Sequence, residues 1–514
     1  MSLNLAVILR ESAKRDPDHV AIILDSFKFT YGQLDALSNQ VASSLKAAGL
    51  QKGDRVGLML PNVPQFPMAY FGILKAGGVV VPMNVLLKAP EVSFYMGDSG
   101  ARFLIAWDDF AGEALKGVAN LHGVTTFVAL KPGGTETPEG TRNFMELLAG
   151  DPKFDGEATH GDDTAVILYT SGTTGKPKGA ELTHLNLFMN AHMVSHVFGS
   201  GPDDVTLAVL PMFHSFGQSS VMNVALHVGS TLTLVPRFEA EKVMEVIQRD
   251  KVTVFPGVPT MFFALLHHPS AGKFDLASLR IAVSGGAAIP GEVIQAFEGK
   301  FKTTILEGYG LSETSPTATF NFSAAERKVL SIGKPIFGVE VRIFDIDDKR
   351  LPAGKDHVGE IVIRGHNVMK GYWNKPEANV EAFKGGWFHT GDLGYVDEDG
   401  FFFIVDRKKE MIIRGGFNVY PREVEEVIYA HPAVAEAAVI GVPDERLGEE
   451  VKAVVALKPG AKASAEDIID FVKERVAAYK YPRTIQFVDT LPKGATGKIL
   501  KKELKAQLEA AARS

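Results

Sequence analysis

Tyr169 to Gly179 reads YTSGTTGKPKG, a run of small residues and hydroxyls that ends on two lysines. Gly172 and Gly175 allow backbone N–H groups to close around an anion. Ser171, Thr173 and Thr174 add hydroxyl donors, and Lys176 and Lys178 add positive charge. Close backbone approach combined with many donors is what a triphosphate requires. The string is not a Walker A loop, which places four residues between its first glycine and Gly-Lys and follows them with Ser or Thr. Here only Thr173 and Thr174 separate Gly172 from Gly175, and Pro177 follows Lys176. A four-residue fragment of this kind is usually a solvated turn; the whole string points to phosphate.

Four further segments carry groups that suit a nucleotide. In EGYGLSET (307–314), Tyr309 stands between Gly308 and Gly310, where an aromatic face can stack on a flat base with backbone packed close around it. Glu313 in the same string is a candidate for Mg²⁺, a hard cation that prefers carboxylate oxygens and water. In GWFHTGDLG (386–394), the Asp392 carboxylate can accept from two neighbouring ribose hydroxyls. DRKKEMIIRGGFNVYP (406–421) is basic and glycine-containing. In LPKGATGK (491–498), Lys498 ends a loop just before a helix, where an ammonium can reach an oxyanion. Taken singly, each has a plainer explanation: a packed turn tyrosine, a β-turn aspartate, a solvated linker, a surface lysine.

The elements that must position these groups alternate between strand and helix. Phe27 to Tyr31 has a strand pattern, Thr30 and Gln33 form a capping box, and Leu34, Leu37, Val41 and Leu45 follow at helical spacing up to Gly49. Arg55 to Leu60, Val79 to Val81 and Ala165 to Leu168 read as strands. This alternation predicts an α/β fold of layered sheets and helices. A β-rich stretch follows from about residue 334 to 404, and the elements then shorten. Pro421 to Tyr429 reads as a helix start, with Pro in its first turn; Ser464 and Asp467 cap a helix expected through Val476; a last helix starts near Ile499. The expected division is a large domain over 1–405 and a small α+β domain over 406–514.

Composition narrows the function classes. The chain has 514 residues, 46% hydrophobic and 22% charged, with a formal charge of -7 that does not suit a nucleic-acid binder. It has no cysteine, which excludes disulfides, thiolate metal sites and a cysteine nucleophile. No segment reads as a signal peptide or as a membrane span; the most apolar stretch, Gly72 to Leu87, is broken by Lys75 and Pro82. A soluble, cytoplasmic protein is expected. The oligomeric state stays open, with a homodimer as one reading.

In this order, the five segments resemble the adenylate-forming superfamily of acyl-CoA synthetases, luciferases and peptide-synthetase adenylation domains, most of all bacterial medium- and long-chain fatty acid–CoA ligases. The resemblance runs from about Thr30 to Glu503. It implies a large N-terminal domain with a β-barrel part and a mobile C-terminal domain. It also implies ATP, CoA and a carboxylic acid as substrates and Mg²⁺ as cofactor. By resemblance, Thr170, Ser171, Gly172, Thr173, Thr174, Gly175 and Lys178 belong to the ATP phosphate loop, and Thr170 and Glu313 sit at Mg²⁺. Tyr309 stacks on adenine, with Gly286, Ala287, Gly308, Gly310, Leu311 and Ser312 nearby, and Asp392 and Arg407 hold the ribose. Lys498 contacts carboxylate and α-phosphate as the catalytic lysine, and His214 of PMFHSFG stands at the mouth of the acyl pocket. Lys409 is the hinge, and Gly415 and Gly416 line a tunnel for the pantetheine of CoA. Phe213, Phe216, Val258, Met261 and Gly285 line the acyl pocket, whose apolar composition suits an alkyl or aryl acid.

Two positions depart from relatives. Ile413 stands where some carry a second lysine near the hinge, so that lysine's thioester-step role does not transfer. Gly308 stands where malonate-specific relatives carry arginine, which argues against a dicarboxylate substrate. An aromatic-acid CoA ligase, and an adenylating enzyme that delivers to a carrier protein, remain the alternatives.

Overall fold

The structure, a computed structural model, describes residues 3–170, 176–444, 446–494 and 497–513, with side chains through residue 508. Parallel strands need long crossovers, and helices supply them here. One eight-stranded sheet has the order 371–372, 178–183, 164–170, 79–82, 55–59, 103–107, 125–129, 142–143. Its inner pairs are parallel, and an antiparallel hairpin pair, Thr164–Thr170 with Lys178–Thr183, lies toward one edge. A nine-stranded sheet has the order 334–335, 317–320, 305–310, 281–284, 254–257, 205–208, 231–234, 20–24, 27–30. Ile22 and Leu232 of one sheet, Val56 and Leu58 of the other, and Leu34, Val41 and Phe66 of helices Tyr31–Ala47 and Gln65–Lys75 share one core. A four-stranded antiparallel sheet, 339–344, 359–365, 388–396 and 402–407, forms the β-rich part.

Residues after Met411 build their own five-stranded sheet and their own core around Val424, Ile428, Val439, Val455 and Ile468. An independent core is what lets such a unit move as a body. The last residue of the preceding sheet, Arg407, is separated from this unit by the turn that contains Lys409.

Several local expectations hold because they rest on short-range chemistry. Thr30 and Gln33 make the reciprocal capping box, and so do Ser464 and Asp467. The helix expected to start at Pro421 does so and ends at Tyr429. Three limits shift. Tyr31 opens a helix instead of closing a strand, because Thr30 is already the cap. The helix expected through Val476 closes at Lys473, and the N–H groups of Arg475 and Val476 turn back to the Val472 carbonyl. The last helix starts at Lys501. Lys75 is also placed differently from its appearance as a break in an apolar run. It is 1% exposed, its ammonium 2.6 Å from the Asp35 carboxylate, 2.7 Å from Ser38 and Asn39 and 3.1 Å from the Asp35 carbonyl, so protein oxygens replace its water. Among the described residues, no helix is long and apolar enough to cross a membrane.

Candidate active site

Thr170 and Lys178 face each other across the antiparallel pair and fix both ends of the glycine- and threonine-rich segment. Ser171, Gly172, Thr173, Thr174 and Gly175 lie outside the described residues. The strand end is held from below: Tyr169 donates to Asp98 at 2.7 Å and stacks on Tyr95 with ring centroids 4.4 Å apart. Lys178 extends over the Tyr372 ring, 5.0 Å from its centroid.

Glu313 comes from a short turn after strand Ile305–Gly310, in the other large sheet. Its Oε1 accepts from Thr170 Oγ1 at 3.2 Å and from the Tyr372 hydroxyl at 2.9 Å. The carboxylate is buried at the junction of the two sheets. Thr170 and Glu313, 143 positions apart, therefore meet. Tyr372 is a further member that the sequence does not reveal, since no spacing links GYW (371–373) to Glu313. Burial and the neighbouring Glu313 charge hold the Tyr372 phenol far above its ordinary range, so it stays a donor.

The second group lies where the strand 305–310 meets the four-stranded sheet. The Tyr309 hydroxyl donates to Asp392 Oδ2 at 2.6 Å, and Arg407 Nε stands 3.3 Å from Asp392 Oδ1. Asp392 and Arg407 are direct cross-strand partners, so the sheet register sets this ion pair. Burial and then the Asp392 charge push the Tyr309 phenol well up. Gly308 and Gly310 flank Tyr309 in strand pairing with Phe320 and Thr317.

A cavity of about 250 Å³ lies between one edge of the nine-stranded sheet, the four-stranded sheet and the C-terminal unit. Tyr309, Asp392, Arg407 and Lys498 line it, and Gly286, Ala287, Gly308, Gly310 and Leu311 form its close-packed walls. Ser284 also lines it, and its buried hydroxyl has no hydrogen-bond partner. Ser312 lies just beyond, its hydroxyl 3.4 Å from that of Ser215.

Lys498 reaches the cavity from the C-terminal unit. The adjoining Gly497 carbonyl accepts from Thr260 Oγ1 at 3.2 Å, a contact between the N-terminal part and the C-terminal unit. Loss of water, and then the nearby Arg407 charge, lower the Lys498 ammonium to about 8, while Glu410 and Asp392 oppose that shift. His214 is lowered to about 4 by burial first and the Lys498 charge second. Its Nδ1 accepts from the Phe216 N–H at 3.3 Å, which puts the proton of the neutral ring on Nε2. His214 is therefore a neutral donor beside the lysine and adds no second cation.

Lys409 is exposed in the turn between Phe402–Arg407 and Ile412–Arg414. Gly415 and Gly416 form the exposed tip of the hairpin Ile412–Arg414/Phe417–Val419, outside the cavity lining. The expected acyl-pocket residues Phe213, Phe216, Val258, Met261 and Gly285 do not line this cavity; they pack behind it. The Phe216 ring fills the space beside Gly285, where an added Cβ would come within 3.0 Å of it. Phe213, Val258 and Met261 are buried in the shared core, Val258 beside Gly286.

The family described as AMP-binding enzyme matches residues 9–373, and the AMP-binding enzyme C-terminal domain matches residues 423–498. The chain is 40% identical to a long-chain-fatty-acid–CoA ligase of Bacillus subtilis (strain 168), over 97% of this chain and 94% of that protein. It is 37% identical to a feruloyl-CoA synthase of an Amycolatopsis species, over 96% of each. Among solved structures it is similar to the anthranilate CoA ligase AuaEII in complex with anthranoyl-AMP, with a TM-score of 0.94 at 32% identity, over 100% of this chain and 99% of that one.

Proposed function

This chain belongs to the AMP-binding enzyme family and is an AMP-forming acyl-CoA synthetase, and on that premise we propose that its acid is a medium- or long-chain fatty acid. The observation that carries the two-step reading is the meeting, in one cavity, of the Tyr309–Asp392–Arg407 group with Lys498 from the C-terminal unit. The similarity to the Bacillus subtilis ligase supports the alkyl class. The feruloyl-CoA synthase and the anthranilate CoA ligase support an aromatic acid as the second reading.

A carboxylate acylates poorly because oxide is a poor leaving group. In the first step a carboxylate oxygen bonds to the α-phosphorus of ATP. The bond from that phosphorus to the oxygen bridging toward the β-phosphorus breaks, and pyrophosphate departs. Two anions must approach each other, so the site has to supply positive charge where negative charge builds up. Lys498 does this at the carboxylate and α-phosphate. Tyr309 supplies a face for adenine, and Asp392 and Arg407 hold the ribose. In the second step the CoA thiolate attacks the acyl carbon, the bond to the phosphate oxygen breaks, and AMP leaves. The thiol comes with the substrate, so a chain without cysteine is competent.

Thr170 and Glu313 fit Mg²⁺. Their oxygens are hard donors 3.2 Å apart, close to the roughly 2.9 Å between adjacent ligands of an octahedral Mg²⁺. Bound there, Mg²⁺ neutralises phosphate charge. Glu313→Gln keeps an acceptor for Thr170 and Tyr372 but removes the charge. It is expected to lower acyl-adenylate formation roughly a hundredfold and to raise the Mg²⁺ concentration needed for half-maximal rate. Mg²⁺ titration of ATP–pyrophosphate exchange measures both, and an unchanged half-point removes Glu313 from the metal site.

The second step requires the C-terminal unit to turn about Lys409, so that residues 406–514 act as a lid on 1–405 and Gly415 and Gly416 face the body. Gly416→Trp is expected to cut acyl transfer to CoA about a hundredfold while adenylation stays within a few fold. Equal losses in both half-reactions would remove these glycines from the CoA path.

The defining experiment gives the protein ATP, Mg²⁺ and a panel of short, medium and long alkyl acids, aryl acids and malonate, each with and without CoA, and reads products by mass spectrometry. Acyl-CoA from medium or long alkyl acids supports the proposal. Preferential use of an aryl acid moves the assignment to the second reading. Acyl-AMP that never becomes acyl-CoA points to a carrier protein as acceptor.

A further inference from the structure

Asp98 stands one residue before the end of helix Ala89–Ser99. A carboxylate is poorly placed there, because the last turn already carries the negative end of the helix dipole and holds no basic residue. The offset comes from elsewhere in the chain. Lys375 Nζ donates to Asp98 Oδ1 at 2.9 Å, and the Tyr169 hydroxyl donates to Oδ2 at 2.7 Å. The Asp98 carbonyl, an orphan acceptor of the helix end, takes the Trp373 indole N–H at 3.1 Å. Arg55 Nε donates to the next carbonyl, that of Ser99, at 2.6 Å, and its guanidinium lies 5.5 Å from the Trp373 ring centroid. One residue therefore bonds to two segments that are far apart in sequence.

Those segments flank the strand that carries Lys178. Strand 178–183 pairs with 164–170 on one side and with 371–372 on the other. Thr170 follows Tyr169, and Tyr372 precedes Trp373. Successive side chains leave a strand on opposite faces. Tyr169 and Trp373 accordingly pack with Tyr95 against the core around Val79, Val81 and Met96, while Tyr372 packs against the other core. Thr170 and Tyr372 meet at Glu313, at 3.2 and 2.9 Å. Asp98 thus joins, from one face, the two outer strands whose neighbouring residues converge on Glu313. Burial, then the bond to Asp98, hold the Tyr169 phenol far above its ordinary range, so it stays a donor.

We propose that Asp98 is a positioning residue for acyl-adenylate formation, a clamp that sets the spacing of Thr170 and Tyr372 around Glu313. This rests on the reading of Thr170 and Glu313 as the Mg²⁺ site. Mg²⁺ demands near-ideal octahedral geometry, so a pair of its oxygen ligands tolerates little change in the gap between them. Glu313 is held by the turn after strand 305–310, in the nine-stranded sheet, whereas Thr170 lies near one edge of the eight-stranded sheet. The gap between them depends on how that edge is held, and Asp98 holds it through one charge that reaches both outer strands.

Asp98→Ala is expected to raise the Mg²⁺ concentration for half-maximal ATP–pyrophosphate exchange about tenfold, with a smaller fall in the rate at saturating Mg²⁺. Tyr169→Phe, which keeps the ring on Tyr95, and Lys375→Met, which keeps the chain length, should each raise it about threefold. In the Asp98→Ala background either one should add less than about twofold, because both act through the same carboxylate. Should the alanine variant melt early, Asp98→Asn, which keeps the size and removes the charge, supplies the background. A lowered melting temperature with the Mg²⁺ half-point unmoved makes Asp98 a stability residue and overturns the proposal, as does full additivity of the substitutions. Amide hydrogen exchange at Trp373, whose N–H donates to the Gly179 carbonyl at 2.7 Å, tests the clamp without metal or nucleotide and should accelerate in Asp98→Ala. Unchanged protection there defeats the clamp even if the metal reading stands. Faster exchange in a protein whose Glu313→Gln variant keeps the wild-type Mg²⁺ requirement defeats the metal reading, and with it the role of Asp98, and leaves only the contact standing.

Discussion

Replacing Lys498 with alanine is expected to slow acyl-adenylate formation by about three orders of magnitude while ATP affinity changes only a few fold. The ammonium lies in a site poor in water, beside Arg407, where its charge acts at close to full strength on the two anions that must meet. On the proposed assignment of Tyr309 and the Asp392–Arg407 pair to the nucleotide, ATP gains most of its hold elsewhere. Removing Lys498 therefore costs the transition state far more than the ground state. ATP–pyrophosphate exchange reads the rate, and nucleotide binding by calorimetry reads the affinity. A variant that exchanges at the normal rate would deny Lys498 the role. The lowered pKa adds a pH signature. With the group at about 8, the ammonium prevails below that value and is lost as pH rises through it, so exchange should decline above about pH 8. The residual rate of Lys498→Ala should lack that decline. A wild-type rate that climbs through the same range would mean the free amine is the active form.

Gly310→Ala should be the most damaging single methyl in the adenine wall. A Cβ at Gly310 would stand 1.7 Å from the Pro316 carbonyl oxygen and 2.5 Å from its carbon, both backbone atoms that cannot swing aside. Gly310 pairs with Thr317, so relief requires the strands 305–310 and 317–320 to part, displacing Tyr309 and the turn that carries Glu313. A loss on the order of 3–5 kcal/mol follows for overpacking against backbone, with adenylation lost alongside. Gly308→Ala meets the Phe320 ring at 2.5 Å, a side chain able to shift, and should cost less. Gly391→Ala has open space around it but a φ of +73°, and should cost only about 1 kcal/mol from backbone strain. Denaturant melts of the three variants check the order Gly310, Gly308, Gly391; Gly310→Ala as stable as Gly391→Ala would contradict the packing at this turn.

The chain order of motifs was enough to reach the reaction class and the α/β layering. Backbone capture of phosphate, helix capping and strand alternation act between residues close in sequence. That is why the Thr30–Gln33 and Ser464–Asp467 boxes and the Pro421 helix start could be read directly. Lys75 shows the limit: in sequence it interrupts an apolar run, and in space Asp35, Ser38 and Asn39 on one neighbouring helix make it a buried ion.

Contacts across the molecule were decided only by the tertiary structure. Tyr372 joins Thr170 at Glu313 because strand 371–372 pairs with 178–183, a register that no local pattern encodes. The expected acyl residues Phe213, Phe216, Val258, Met261 and Gly285 do not line the cavity, and the Phe216 ring occupies the space beside Gly285. The sequence by itself determined which chemical groups are present and which short segments hold them. Packing determined that Lys498 shares one cavity with Asp392 and Arg407. Side-chain neighbours separated by more than a hundred residues are set by how sheets and units stack, and that information is spread over the whole core.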